Sequence, residues 1–251
     1  MTEEVVNNLR AEKFFDAICA DNVAVMEDLI AQGQGVNVLV DGMTPLTRAV
    51  EKGQKRAAEL LLREGAEIEG RSWEGRTALS YAARGEMDEG NLELAKRLLQ
   101  KGANPHSTDD AGNSVLMHAA LAGSTEVIGL LLGKGVDINH ARKSGDTALH
   151  HAAWGGHAEA VVLLIESGAD ASRDNEDGED AKCSAAAMGH PEIVTLITAT
   201  VLARERRLAA ERAEEERLNN LKGIVSAVHG GIDAPVQVRK PLKLLRGFVH
   251  G

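Results

Sequence analysis

The chain has 251 residues, 38 acidic against 28 basic, for a formal net charge of −10; 43% are hydrophobic and 2% aromatic. That balance excludes a disordered or collagen-like chain and suits a globular protein long enough to bury a sizeable core. The apolar mass falls on Ala, Leu, Val and Ile, which favours many small, closely stacked helices over an aromatic-rich β-sandwich.

The first residues, Met1-Thr2-Glu3-Glu4, are acidic and contain no apolar leader, so secretion is not expected. The longest uncharged apolar run, Ile193 to Ala203, is too short to span a bilayer, and no membrane insertion is expected. Two cysteines, Cys19 and Cys183, cannot make a disulfide framework and point to a reducing, cytoplasmic setting.

Residues 11–33 read as an opening unit. Phe14, Ala17, Ile18, Val25, Leu29 and Ile30 take the apolar positions, and Asp21-Asn22 stands where later units carry Gly and often His. Five further units open on Thr44, Thr77, Ser114, Thr147 and Asp180, in steps of 33, 37, 33 and 33 residues. Gly53, Gly123, Gly156 and Gly189 each stand nine residues after an opener; in the second of these units Gly90 follows Thr77 by thirteen. An insertion of four residues within Arg84–Glu89 accounts for that longer step. Each opener is a residue type that caps a helix N-terminus by accepting backbone N–H bonds. Paired alanines such as Ala82-Ala83 and Ala152-Ala153 let helices approach closely. Leu60, Leu61 and Leu62 supply part of a buried face. Gly65, Gly102, Gly135 and Gly168 fall where a second helix must stop in a left-handed turn.

The final unit lacks such a stop, because Val201 takes the glycine's place. Pro191-Glu192 makes a good first turn. One helix is therefore expected from about 191 to about 221, with a charged extension over 201–228 that is rich in Ala, Arg and Glu. The extension reads as a solvated single helix, or as a spacer or coiled-coil-like pairing surface where Leu218, Leu221, Val225 and Val228 resume an apolar stripe. His229-Gly230-Gly231 then breaks structure. The tail over 229–251 is basic and apolar and reads as an extended peptide, either flexible or docking through Val236, Val238, Arg239, Lys240, Leu242 and Leu244.

Thr44-Pro45-Leu46, Thr77-Ala78-Leu79, Thr147-Ala148-Leu149-His150 and the closing Gly168-Ala169-Asp170, at this spacing, resemble the ankyrin repeat family over roughly residues 11–200. The resemblance implies an all-α helical solenoid with short loop hairpins, here over 5–200, in which no unit has a core of its own and neighbours stabilise one another by stacking. It also implies a curved stack that binds other proteins through loop tips and the inner faces of the first helices. Projected onto this sequence, the tips include Met43, Trp73, Glu74, Arg76, Asp110, Asn113, Lys143, Asp146, Glu176, Asp177 and Glu179. The inner positions include Arg48, Tyr81, His118, Leu121, His151, Trp154 and Ser184.

Charge is uneven: residues 1–200 hold 18 basic and 32 acidic side chains, and residues 201–251 hold 10 and 6. A body of net −14 repels phosphate backbones, so nucleic acid is not an expected partner, whereas a basic protein surface is. Catalytic and metal chemistry find little support. The resemblance gives His150, His157 and His190 framework roles. A calcium loop counted around Gly178 would put Arg173 first and Ser184 twelfth, which fails. The Gly129–Gly135 stretch lacks phosphate-loop spacing. No nucleophile–base pair accompanies Cys19 or Cys183. The expectation is a non-enzymatic protein-binding module that needs neither metal nor cofactor. Trp73, Tyr81, Leu121 and Trp154 supply apolar contact, and Asp110, Glu176, Asp177 and Glu179 attract a basic partner. The alternatives are an inhibitor or immunity-type protein covering a basic enzyme, and an assembly subunit that tethers or self-associates through its C-terminal helix and tail.

Overall fold

The computed structural model describes residues 3–85 and 90–228, with side chains over 8–85 and 92–222. Residues 86–89, part of the Arg84–Glu89 stretch that holds the insertion, and the tail docking positions between Val236 and Leu244 lie outside the described residues, as do the side chains of Val225 and Val228.

The described chain is helical: α1 Glu3–Cys19, α2 Val23–Ala31, α3 Pro45–Glu51, α4 Lys55–Arg63, α5 Ala78–Arg84, α6 Gly90–Gln100, α7 Val115–Leu121, α8 Thr125–Leu132, α9 Ala148–Trp154, α10 Ala158–Ser167, α11 Ala181–Ala187 and α12 Pro191–Val228. Only two isolated β-bridges, Val40–Met43 and Thr108–Ser114, interrupt this pattern among the described residues. Contacts divide the chain into Met1–Arg204 and Glu205–Gly251.

In the first unit the short helices α3, α5, α7, α9 and α11 pack side by side, with α1 against α3. Behind them α2 meets α4, and α8 meets both α6 and α10. The two layers enclose one continuous core running from Phe14 and Ile18 to Ile193 and Ile197. Alanine makes the close packing possible: Ala49, Ala82, Ala83, Ala119, Ala120, Ala152 and Ala153 are fully buried.

The openers cap as their chemistry requires. Thr44 Oγ1 accepts from Thr47 N at 3.1 Å, Ser114 Oγ from Met117 N at 3.3 Å, and Asp180 Oδ1 from Cys183 N at 3.0 Å. Thr147 uses a different device. His150 Nδ1 accepts from Thr147 N at 3.2 Å, and Nε2 lies 3.1 Å from Glu179 O on the next hairpin. Nδ1 as acceptor leaves the ring proton on Nε2, which donates across the gap. Gly65, Gly102, Gly135 and Gly168 all have positive φ, between 74° and 109°, and end their helices as left-handed stops.

The first unit departs from the others in an interpretable way. α1 has 17 residues where the later first helices have seven. Asp21 takes the left-handed conformation at φ 49°, and its carboxylate accepts the Ala57 N–H at 2.8 Å, tying this unit to α4. Asn22 caps α2 by accepting from Val25 N. Val25 itself is 39% exposed, contrary to its expected framework role; Met26, one position on, fills the buried site. Leu62 is likewise only partly buried, while Leu60 and Leu61 are enclosed. In the second unit α12 contributes exposed backbone turns from Glu205 onward, with Leu208 and Leu218 partly covered and Leu221 half-exposed.

Candidate protein-binding face

Consecutive hairpins are stitched tip to tip by backbone hydrogen bonds. Asp110 N donates to Glu74 O at 3.1 Å, Lys143 N to Ala111 O at 3.4 Å, and Glu176 N to Ser144 O at 3.0 Å. Each bond links a hairpin to its predecessor, so the tips form one ordered edge instead of independent loops. Asparagine side chains repeat the linkage nearer the second helices: Asn37 Oδ1 accepts from Glu67 N, and Asn139 Oδ1 accepts from Asp170 N, both at 2.9 Å.

A concavity of about 300 Å³ on this edge lies between the first two full hairpins. Trp73, Tyr81, Asp41 and Glu51 are among its walls, with Met43 at its base. Tyr81 donates its hydroxyl to the Met43 sulfur at 3.5 Å, and the Arg76 guanidinium sits 6.0 Å from the centre of the Tyr81 ring. Met43 is only 3% exposed, so it is a structural floor and not the tip contact expected from its position. Arg48 is held by Glu51 at 2.8 Å, and Arg76 pairs with Glu74 and approaches Asp109 at 3.7 Å.

Along the same face Trp73 is 69% exposed and Trp154 49% exposed. Leu121 is partly buried at the equivalent of Trp154 one unit earlier. Asp110, Lys143, Glu176, Asp177 and Glu179 are all exposed. Several other positions serve the scaffold. Both Asp109 carboxylate oxygens take the Asn113 amide, and the same carboxylate meets His118 Nε2 at 3.1 Å, with both partners almost fully buried. Burial alone would raise the Asp109 pKa, but the His118 and Asn113 hydrogen bonds outweigh it and hold the group well below the usual carboxylate range. His118 and Ser184, expected to face a ligand from the inner helices, are buried instead. Asp146 is tied to Arg142 and Ser144 at 2.6 Å and to Asn175 at 2.9 Å. Burial opposes its ionisation, yet these bonds lower its pKa to about 2.

His151 projects from α9 between these clusters. Burial first, then the positive Arg142, lower its pKa to about 4, so the ring is neutral near pH 7. Its Nε2 is enclosed and has no hydrogen-bond partner. Of the remaining histidines, His157 Nε2 lies 2.8 Å from Leu121 O, and its ring packs so closely on Gly123 and Gly155 that a Cβ at either would sit 2.5 Å from it. Sequence periodicity alone could not separate this framework use from a ligand site; the Gly-His spacing is its only signal. Among the described residues no group of three or more His, Cys, Asp or Glu converges as a cation site. None of the described helices is long and apolar enough to cross a membrane.

A family model described as ankyrin repeats in three copies matches residues 14–109, 86–175 and 116–206. The chain is 40% identical over 91 residues to ankyrin repeat domain-containing protein 63 of Mus musculus, covering 35% of this chain and 22% of that protein. It is 32% identical over 110 residues to ankyrin repeat and KH domain-containing protein mask-1 of Caenorhabditis elegans, covering 43% of this chain and 4% of that protein. It is also 38% identical over 85 residues to the ADP-ribosylation factor GTPase-activating protein AGD4 of Arabidopsis thaliana, covering 34% and 10%. The matched stretch thus spans less than a quarter of each of these relatives. With the repeat spacing, the two helical layers and the stitched hairpins in agreement with the matched model, the chain belongs to the ankyrin repeat family, whose repeats are protein–protein interaction modules.

Proposed function

We propose that this chain is a non-catalytic adaptor that holds one partner protein across the hairpin tips and the adjoining ends of the short helices, between Trp73 and Trp154. One observation carries the reading. The protein has six aromatic residues. Phe14 and Phe15 are spent in the core, whereas Trp73 and Trp154 stand on this face with 69% and 49% of their surface in water. Leaving the two largest apolar side chains exposed forgoes burial worth roughly 1.5–3 kcal/mol each, which a partner surface recovers. Tryptophan supplies wide contact area at low conformational cost, as interface anchors do.

The reading needs no cofactor, and it places the protein in a reducing, cytoplasmic environment, consistent with free, exposed thiols at Cys19 and Cys183. Photo-crosslinking tests it. A benzophenone side chain installed at position 73 or 154 should yield one shared protein adduct from the native cell extract, and the same group at Lys96 or Lys55, on the outer helices α6 and α4, should not. Adducts formed only from the outer positions would refute the assignment of the face.

A further inference from the structure

The groove beside Trp73 has a cause in the chain, and the cause narrows what fills it. Four hairpins close around three residues: Ser72 N donates to Arg76 O, Asp109 N to Asn113 O, Arg142 N to Asp146 O and Asn175 N to Glu179 O. The first hairpin closes around two. Val40 and Met43 exchange both backbone bonds, at 3.1 and 3.0 Å, and Asp41 and Gly42 between them have φ of 50° and 68°. Positive φ at both positions is the primed turn that an Asp-Gly pair favours, one residue shorter than the loop the other hairpins use. The shorter turn breaks the stitching. Asp110 N, Lys143 N and Glu176 N each reach a carbonyl of the preceding hairpin, and the same register would take Trp73 N to Asp41 O. That bond does not form, and among the described residues neither atom has another partner. The two hairpins do touch there, since a Cβ on Gly42 would lie 2.8 Å from the Trp73 Cβ. Because the Trp73 hairpin closes as the later ones do, its N–H is aimed at its predecessor as theirs are. A donor that the repeat normally uses is therefore left open at the seam that holds the 300 Å³ groove.

The groove does not select for charge. It carries three guanidiniums, Arg48, Arg76 and Arg84, against three carboxylates, Asp41, Glu51 and Glu74, with Arg48 held by Glu51 and Arg76 by Glu74. Its remaining walls are the Trp73 indole, the Tyr81 ring and, at the base, Met43. Two rings, a thioether and guanidiniums favour an aromatic guest over an aliphatic one. The volume of about 300 Å³ is roughly twice that of a cavity that holds a benzene ring.

Resting on the partner-binding reading above, we propose that this seam receives an extended segment of the partner protein, which accepts the Trp73 N–H with a backbone carbonyl and lays one uncharged aromatic side chain of phenylalanine type into the groove against Trp73 and Tyr81. The segment supplies the acceptor that the shortened hairpin does not, as an added strand supplies backbone partners to an open edge. The aromatic ring covers the exposed indole, and the paired charges around the groove form its polar rim.

The test uses the full chain, isotope-labelled for nuclear magnetic resonance. In the free protein the Trp73 amide should exchange with solvent roughly tenfold or more faster than the amides of Asp110 and Glu176. The probe is the blocked peptide acetyl-Ala-Ala-Phe-Ala-Ala-amide, with aspartate or alanine in place of phenylalanine as controls. The phenylalanine peptide should shift the Trp73 amide and indole signals saturably, in the millimolar range expected of a single anchor, and should slow exchange at the Trp73 amide. Both control peptides should leave Trp73 unmoved. A glycine inserted between Asp41 and Gly42 gives the first hairpin the length of the others; it should protect the Trp73 amide and weaken the peptide about tenfold. A glycine inserted between Asp177 and Gly178, in the last hairpin, should do neither. A protected Trp73 amide in the free protein would overturn the proposal. So would the absence of a shift with millimolar phenylalanine peptide, equal shifts from either control, or undiminished binding by the chain with the lengthened first hairpin. Exchange and peptide shifts on the unaltered chain decide the matter even if the lengthened variant fails to fold. If crosslinks from positions 73 and 154 persisted after such a failure, the adaptor reading would stand and only the segment receptor would fall.

Discussion

His151 and His157 are six positions apart and do unlike things. His157 closes a hydrogen bond to the preceding unit and fills the space two glycines leave. His157→Ala should therefore cost roughly 1–3 kcal/mol in urea unfolding, the price of an unsatisfied buried carbonyl plus lost packing. His151 makes no bond through Nε2 and acts through its protonation state. The unfolded chain takes up a proton near pH 6.5 and the native ring only near pH 4, so acidification between those values favours unfolding. His150, Arg142, Asp146 and His118 also bear on this ring electrostatically. His151→Gln should flatten the fall in stability between pH 6.5 and 4.5, measured by urea titration at each pH; an unchanged slope would show that the proton goes elsewhere. Asp146 works in the same sense at lower pH: its folded-state pKa is depressed too, so its contribution is retained down to about pH 4 and is lost as pH falls towards 2. At this level the sequence was a partial guide. Repeat position put Met43, His118 and Ser184 on the binding side, and the structure buries all three. Depth is set by what covers them: Tyr81 over Met43, and Asp109 against His118.

Among the hairpins and helices, the repeating geometry was legible because each local choice is chemically forced. A capping residue, a small-residue helix pair and a left-handed glycine recur at fixed offsets, and the helices follow. What could not be read was how one hairpin touches the next, since that depends on backbone groups that carry no residue identity. Gly145 exposes this dependence. Its φ is +83°, and a Cβ would lie 2.8 Å from the backbone of Asn175 and Glu176 on the next hairpin. Gly178, at φ +76°, has nothing within 4 Å. Both alanine substitutions incur backbone strain of about 1 kcal/mol or more, and Gly145→Ala adds a steric clash, so it should lower the thermal midpoint clearly further. Equal losses would mean that the hairpins are not in register. Asp180→Ala removes the α11 cap together with a part-exposed ion pair to Lys182 and should cost about 1 kcal/mol. The long last helix was legible from the missing glycine at position 201. It runs on to Val228 because Gly223 alone, at a cost of about 1 kcal/mol, does not stop a helix.

Taken together, the repeats spend most of their alanines and leucines on one shared core and the hairpin arginines Arg71, Arg76 and Arg142 on acceptors of their own, and leave both tryptophans partly in water. The first two are consistent with a stack whose units cannot stand alone. The third is the feature that the proposed binding face accounts for. The surplus of 32 acidic over 18 basic side chains in residues 1–200 adds long-range attraction for a cationic partner, so association should slow as salt rises while the fold persists. The most direct measurement is quantitative capture of the crosslinked partner by the double variant Trp73→Ala/Trp154→Ala beside the unaltered protein, with circular dichroism recorded on both. The face described here predicts that capture is lost while the helical spectrum stays native; undiminished capture by the doubly substituted protein would contradict it.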